Sequence, residues 1–334
     1  MRTTIRQVAE RAGVSAMTVS SILRGREGEA APETRERVLR AVRELDYIPV
    51  RSSRQSRHVA TRVIGVVFDE VDAAADFWGL MTLRGLRQGA LRHGYDLLLM
   101  LRPTPEWAIG REEAQFLDRR TDGLIVVAPD RRDAVFESLV RNGIPVVCCH
   151  NAEVPEGVAW VVGENQSAAR RATEYLIQRG HCRIAFSPGD LRHSFFRDRL
   201  QGFQEALDAA GISEGWVWEM EEAPDSPGIR DLENLMRRGA TAVLGHNDYF
   251  ALAVWKLAAA HGNKVPERLS VMGMDGVFEG AEAGLTTMVF DNAQIGRDAV
   301  DSIVALLEGD DWRDCVRTVS CELVERRSVA PPCQ

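Results

Sequence analysis

The chain has 334 residues, 45% of them hydrophobic, and a formal charge of −8, so it exceeds one hydrophobic core and can bury two or three. It has no stretch of about eighteen apolar residues, and its start, MRTTIRQVAE, has no signal-type apolar segment; both features argue for a cytoplasmic protein without membrane insertion. The charge is split: residues 1–62 hold 13 Arg, no Lys and 7 acidic residues, a formal +6, which leaves −14 on the rest. A cationic module on an anionic body implies that the module docks on a polyanion while the body does something else.

In chain order, Ile5, Val8, Ala9 and Ala12 recur at helical spacing and predict a short amphipathic helix that Gly13 ends. Gly13-Val14-Ser15 then reads as an elbow. Glycine takes positive φ, valine plugs the gap between helices, and serine caps the next helix through its side-chain oxygen. Val19, Ile22 and Leu23 face inward on the second helix, and its outward face presents Ala16, Met17, Ser20 and Ser21 next to Thr18. A third helix opens at Pro32-Glu33-Thr34, buries Val38, Leu39, Val42 and Leu45, and stops at Pro49. An apolar stripe alone fits any three-helix bundle. Here elbow, cap, small exposed residues and positive charge coincide, which predicts a helix-turn-helix that binds double-stranded DNA.

Beyond residue 62, short apolar runs alternate with helical patterns. Residues 63–68, 97–101, 124–128, 146–149, 184–186, 242–244 and 271–274 read as buried strands; 80–93, 169–179, 199–210 and 250–261 read as helices. Two doubly wound parallel α/β blocks follow, near 62–160 and 162–290. In open sheets of this kind ligands settle beyond the carboxyl ends of the strands, and two facing lobes make a cleft. Residues just after strands are therefore pocket candidates. Asp69 follows the first strand, with Phe77 and Trp78 opening the next helix; Asp130 follows the third strand, and Asn247-Asp248 and Asp275 follow strands of the second block.

The segment Thr4 to Gly25, TIRQVAERAGVSAMTVSSILRG, resembles the amino-terminal signature of the lactose/galactose repressor family. Tyr47-Ile48-Pro49 resembles the link to that family's hinge, and Val63-Ile64-Gly65-Val66-Val67 its first core strand. Gly180-His181-Cys182-Arg183-Ile184-Ala185-Phe186, Asn247-Asp248, Ser270-Val271-Met272-Gly273-Met274-Asp275, Leu285-Thr286-Thr287 and Glu325-Arg326-Arg327-Ser328 are similar to later landmarks in the same order. The resemblance runs essentially end to end. It implies a DNA-binding headpiece at 1–48, a hinge at 49–61, and a bilobed, periplasmic-binding-protein-like effector and dimerisation domain at 62–334. It also implies three crossings between lobes, the first lobe spanning about 62–160 and 291–320 and the second about 162–290 and 321–330. The implied assembly is a homodimer or a dimer of dimers.

By the same resemblance Arg199, three residues before Gly202-Phe203, matches an arginine that holds polar groups of the effector. Asn247 and Asp275 match further polar contacts, and Phe77 a pocket aromatic; Trp78, Asp69 and Asp130 are added by their position after strands. Carboxylates, an amide and a guanidinium can bind ring hydroxyls in bidentate fashion while an aromatic face covers C–H surface, which suits a sugar or related metabolite. Structural alternatives stay open: Asp248 as a cap for the helix that follows, Arg199 paired near Asp198 or with solvent, Phe77 as core. His193 reads as a solvated loop residue.

On the DNA side, Thr4, Ser15, Thr18, Ser20 and Arg24 match positions that touch phosphates in the family, leaving Ala16, Met17 and Ser21 to read bases. Ser21 stands where most members carry arginine, which removes the fork that reads guanine. The hinge departs too. Val50, Ser53 and Ser56 replace the usual asparagine, alanine and wedging leucine, while Arg51, Arg54 and Arg57, spaced by three, share one face of a helix if one forms. Two readings remain for this segment, a basic grip on the minor groove or a polar flexible linker. The turn from Arg24 to Ala31 is one residue longer than usual, and Ala31 stands where a capping serine is common.

The six cysteines, at 148, 149, 182, 315, 321 and 333, have no CxxC spacing, and no metal or cofactor is expected. G-x-G-x-x-G, G-x-x-x-x-G-K-S/T and H-E-x-x-H motifs are absent, and no catalytic residue is proposed. The expected function is a ligand-responsive transcription regulator, in the sense of a repressor. The alternative is a solute-binding receptor with no DNA role.

Overall fold

The computed structural model describes residues 4–23, 31–45, 47, 60–68, 77–101, 116–118, 120–129, 135–213, 215–218 and 227–332. Asp69, Asp130, Arg24 and the hinge positions Val50, Arg51, Ser53, Arg54, Ser56 and Arg57 lie outside them.

Three helices form the headpiece: α1 (Ile5–Ala12), α2 (Ala16–Leu23) and α3 (Pro32–Glu44). Gly13 ends α1 in the left-handed region, at φ 66°, a backbone state that costs glycine nothing. Ser15 accepts the Thr18 amide at 3.0 Å, so the predicted cap on α2 forms. Val8, Val19 and Val38 are the fully buried centre, ringed by Ala9, Ala12, Ile22 and Ala41. Leu39, Val42 and Leu45 are only partly buried, because the smaller Ala41 takes the inner position on α3. Ala31 at the start of α3 makes no side-chain cap, and proline at the first turn stands in for it.

The body has two six-stranded sheets. The first comprises β1 (Val63–Phe68), β2 (Asp96–Leu101), β3 (Gly123–Val127), β4 (Val146–Cys149), β5 (Ala159–Gly163) and β11 (Arg317–Val319), ordered β11-β5-β4-β3-β1-β2 with all pairs parallel. The second comprises β6 (Ile184–Phe186), β7 (Trp216–Val217), β8 (Ala242–Leu244), β9 (Ser270–Asp275), β10 (Thr286–Phe290) and β12 (Cys321–Val324), ordered β12-β10-β9-β8-β6-β7 and parallel except for β12 on β10. Strands such as GLIVV and VVCC are apolar throughout because helices cover both faces. This is the doubly wound pair of parallel sheets that the sequence predicts. Cys148, Cys149, Cys315 and Cys321 are free and buried.

The covering helices are α4 (Phe77–His93), α5 (Val135–Arg141), α6 (Asn165–Gln178), α7 (Ser194–Ala210), α8 (Ile229–Arg237), α9 (Asp248–Ala260), α10 (Phe278–Ala283) and α11 (Asn292–Glu308). The helix α11 follows a strand of the second sheet but packs on the first lobe, sharing a core with Ile64, Leu86 and Ile125 through Ile295, Val300 and Ile303. The chain therefore passes between lobes after Gly163, after Phe290, and between Val319 and Cys321. Among the described residues no helix is long and apolar enough to cross a membrane.

Two glycines set the closeness of these layers. A Cβ at Gly85 would come 1.9 Å from the Ala293 carbonyl oxygen, so α4 and α11 touch backbone to backbone. Gly202 plays the same part between α7 and α6, 2.0 Å from the Gln166 carbonyl oxygen. Backbone cannot give way as a side chain can, so Gly85→Ala should cost about 3 kcal/mol or more in denaturant unfolding. A loss under about 0.5 kcal/mol would contradict this packing.

Several helices begin earlier than their apolar periodicity. Predicted starts at 80, 169, 199 and 250 become 77, 165, 194 and 248. The first turns carry residues such as Asn165, Phe195, Arg197 and Phe77, which serve the space between lobes and break the apolar repeat. Short strands at 159–163, 216–217, 317–319 and 321–324 also lack a continuous buried run, and the buried strand 286–290 opens on two threonines rather than on an apolar run.

Candidate DNA face and effector cleft

The exposed face of α2 is small and polar apart from Met17, which is 81% exposed. Ala16, Thr18, Ser20 and Ser21 are half-buried around it. An unbranched thioether left in water at a helix surface is a group awaiting an apolar partner. Thr4 and Ser15 sit at the two helix starts, where free backbone N–H groups and the helix dipole favour an anion. Both hydroxyls already act as caps: Thr4 forms a reciprocal box with Gln7, and Ser15 Oγ lies 2.8 Å from Thr18 Oγ1. Arg11 and Glu44 pair at 2.6 Å on the surface, bracing α1 against α3.

The cleft is marked by backbone strain. Ala128, His150 and Asp275 are non-glycine residues at φ 48°, 64° and 112°, and they close or directly follow β3, β4 and β9. Such conformations cost of order 1–3 kcal/mol and persist where the surroundings impose them. All three lie at carboxyl ends of strands, where ligands bind in sheets of this kind.

Arg199 is the hub on the second lobe. It is 6% exposed, on the second turn of α7. Its Nε donates to Asn165 Oδ1 at 2.9 Å, one terminal nitrogen donates to the His246 carbonyl, and the other donates to Asp275 Oδ1 at 2.9 Å. The guanidinium lies over Phe290, 5.0 Å from the ring centre, with Phe195 and Phe196 at 5.9 and 5.8 Å. A guanidinium has five N–H donors, and three bonds leave two for a ligand. Two predicted site residues, Arg199 and Asp275, thus hold each other. This replaces the alternative in which Arg199 pairs near Asp198 or with solvent.

Asn247 has a local duty. Its Oδ1 accepts the Phe250 amide at 2.7 Å, so Asn247, not Asp248, caps α9. Asp248 is fully buried and instead accepts from the Gly276 and Val277 amides at 2.9 and 2.8 Å and from Thr287 Oγ1 at 2.5 Å. Burial, then the charge of Asp275, push its carboxyl up to about 7. It therefore ties the turn after β9 to β10 directly behind Asp275.

Phe77 and Trp78 divide between the lobes. Phe77 packs against the second-lobe cluster of Phe250, Val271 and Val277, whereas Trp78 packs on the first-lobe core. Trp78 also meets His150 edge-on at 5.0 Å. The lobes touch at the rim too, where Arg197 Nη2 on α7 donates to Glu153 Oε2 beyond β4 at 2.6 Å. His193 is a half-buried ring stacked on Phe195 at 5.2 Å rather than a solvated loop residue, because the start of α7 gathers aromatics around Arg199.

Asn165, His246, Phe195, Phe196, Phe290, Thr82 and His150 escape the sequence reading. His150 directly follows the predicted strand 146–149, so its place after a strand is the signal that marks it. Burial, then the charge of Arg199, hold its imidazole down at about 3, so it is neutral at every physiological pH.

The same two-part layout recurs in known proteins. Residues 4–50 match the model of bacterial regulatory proteins of the lacI family, and residues 173–329 match a periplasmic binding protein-like domain. The HTH-type transcriptional repressor PurR of Vibrio parahaemolyticus is 28% identical, over 98% of either chain. A solved complex of the transcriptional regulator CelR with cellobiose, 28% identical, covers 98% of this chain and 100% of its own with a TM-score of 0.71. The Lac repressor dimer bound to operator, at 24% identity, covers 99% and 100% with a TM-score of 0.68 and shares the fold. The HTH-type transcriptional regulator CelR of Thermobifida fusca is 30% identical over 98% of each chain, and with a DNA-binding headpiece ahead of an effector-binding body this chain belongs to the lacI family of bacterial transcription regulators, not to an enzyme family.

Proposed function

We propose that this regulator is a cytoplasmic repressor whose grip on operator DNA is set by a small neutral polyhydroxy molecule, a sugar, held between the lobes. The observation that carries the reading is Arg199: a buried guanidinium, fixed by Asn165, the His246 carbonyl and Asp275, with two donors to spare and aromatic rings around it. Hydroxyls accept from such a fork, and ring C–H surface packs on Phe195, Phe196 and Trp78. Asp275 and Phe77 are proposed as further contacts. Asn247 is proposed as a lesser one, since its oxygen is committed to the cap. The CelR–cellobiose complex supports the sugar class. Asp69 and Asp130 remain candidates on sequence alone.

The assembly proposed is a homodimer, as in the operator-bound Lac repressor neighbour. Leu80 and Leu91 on α4 and Leu99 on β2 are exposed on the first lobe and suit a subunit contact. Each protomer would set α2 in one major-groove half-site, so the operator should be near-palindromic. A sugar that binds the closed lobes more tightly than the open ones shifts the paired headpieces, and DNA affects sugar affinity reciprocally. Thermal-shift screening of the full chain against mono- and disaccharides tests the class. A rise with nucleosides or small acids and none with sugars would overturn it.

Ser21 offers a test on the DNA side. With Met17 to pack on a thymine methyl and no arginine fork, the selected half-site should lack a required guanine opposite position 21. Ser21→Arg should restore a guanine preference of roughly 1–3 kcal/mol in selection from random duplexes. An unchanged selected sequence would mean that Ser21 faces away from the bases.

A further inference from the structure

Thr82 and His150 fix where a proton sits on the first-lobe wall of the cleft. Thr82 is fully buried on α4, and its hydroxyl oxygen lies 2.8 Å from the Trp78 carbonyl oxygen and 2.8 Å from His150 Nε2. A threonine hydroxyl has one proton, and a carbonyl can only accept. The proton therefore goes to Trp78, and the Thr82 oxygen accepts from Nε2–H of His150. The neutral ring then carries its only proton on Nε2, leaving Nδ1 as a bare acceptor. Among the described residues no hydrogen bond reaches that nitrogen. The left-handed backbone at His150 and the edge of Trp78 hold the ring in place.

Across the cleft the arrangement is complementary, because Arg199 supplies only donors while the oxygens of Asn165 and Asp275 nearest it are already engaged by its own N–H groups. We propose that His150 Nδ1 is a specificity-determining acceptor, which admits effectors that present a hydroxyl or N–H donor to the first lobe and rejects those that present an ether oxygen or carboxylate there. The inference rests on the reading of the cleft as the effector site. It deepens that reading, since a hydroxyl can accept from Arg199 on one side of the ligand and donate to His150 on the other. Thr82, which touches no ligand, is the positioning residue that sets the tautomer.

The test uses the full-length protein labelled with 15N-histidine, which has 7 histidines, with His150→Asn to assign the ring. At pH 7 the expected result is the Nε2–H tautomer with Nδ1 in the range of a bare imidazole nitrogen. A proton on Nδ1, or an imidazolium, overturns the proposal. Among cellobiose, glucose, ribose and xylose, each sugar that raises the melting temperature should move the Nδ1 resonance. A stabilising sugar that leaves it unmoved also overturns the proposal. For a stabilising sugar, His150→Leu should weaken binding about 10- to 100-fold, since an unmet donor is left in the site. His150→Asn, which keeps an acceptor near Nδ1, should stay within about 10-fold. Thr82→Val should free the tautomer and weaken the same sugar with little change in operator affinity. Arg199→Met distinguishes the two levels: equal sugar affinity in that variant defeats the cleft reading even where the tautomer holds, whereas a wrong tautomer defeats only the selection by His150.

Discussion

Arg199→Met removes the response of operator binding to a sugar and lowers the stability of the second lobe by about 3–5 kcal/mol, the cost of stranding one member of a buried ion pair. The side chains of Arg199 and Asp275 are 7% and 13% exposed and bond at 2.9 Å, and the variant also removes the N–H donors that reach Asn165 Oδ1 and the His246 carbonyl. A loss of response alone would therefore mix two causes. Arg199→Met with Asp275→Asn separates them: with no bare carboxylate left, most of the stability returns, yet the donor fork is still missing. Denaturant unfolding should show the recovery, sugar titration of the operator complex should show none, and both variants should hold operator DNA at low temperature. Restored sugar response in the double variant would mean that Arg199 is a structural residue only.

Asp248→Asn destabilises the second lobe more at pH 5 than at pH 8, the two losses differing by about 2–3 kcal/mol. The carboxyl titrates near 7 in the fold against an ordinary 3.8. Between those values the unfolded chain has released the proton and the folded chain still holds it. The contribution of Asp248 is thus full below about pH 4 and is lost as pH rises to about 7. His150 works in the opposite sense. Its folded value of about 3 lies below the ordinary 6.5, so acid protonates the unfolded ring first and stability grows as pH rises toward 6.5. In the parent protein these slopes oppose each other between pH 4 and 6.5. Asp248→Asn leaves the rising slope of His150, and His150→Asn leaves the falling slope of Asp248. Urea unfolding at pH 5, 6.5 and 8 reads both, and a loss in Asp248→Asn that is the same at every pH would contradict the buried carboxyl.

The layout of the molecule was largely legible because it follows local rules. Alternation of apolar runs and helical stripes marks the two lobes, and the Gly13-Val14-Ser15 elbow marks the headpiece, with the glycine φ and the serine cap present in the structure. The rule that pockets lie after strands points to Asp275 and equally to His150. Other features were out of reach. The bond between Arg199 and Asp275 joins residues 76 apart, and no spacing announces it. Asn247 and Asp248 are adjacent polar residues at a helix start, and either could cap; the buried turn at Gly276 and Val277 claims Asp248 and leaves the cap to Asn247. The early starts of α4, α6 and α7 were hidden because their first turns are shaped by the cleft rather than by a core.

The most direct test of control from the cleft is the affinity of the full-length protein for its selected operator duplex, measured by fluorescence anisotropy at fixed salt as a stabilising sugar is titrated in. A saturating change of about 5- to 150-fold, with its midpoint at the sugar's own binding constant and absent from the Arg199→Met, Asp275→Asn double variant, is the expected result. Operator affinity that stays constant while the sugar demonstrably occupies the protein would contradict it.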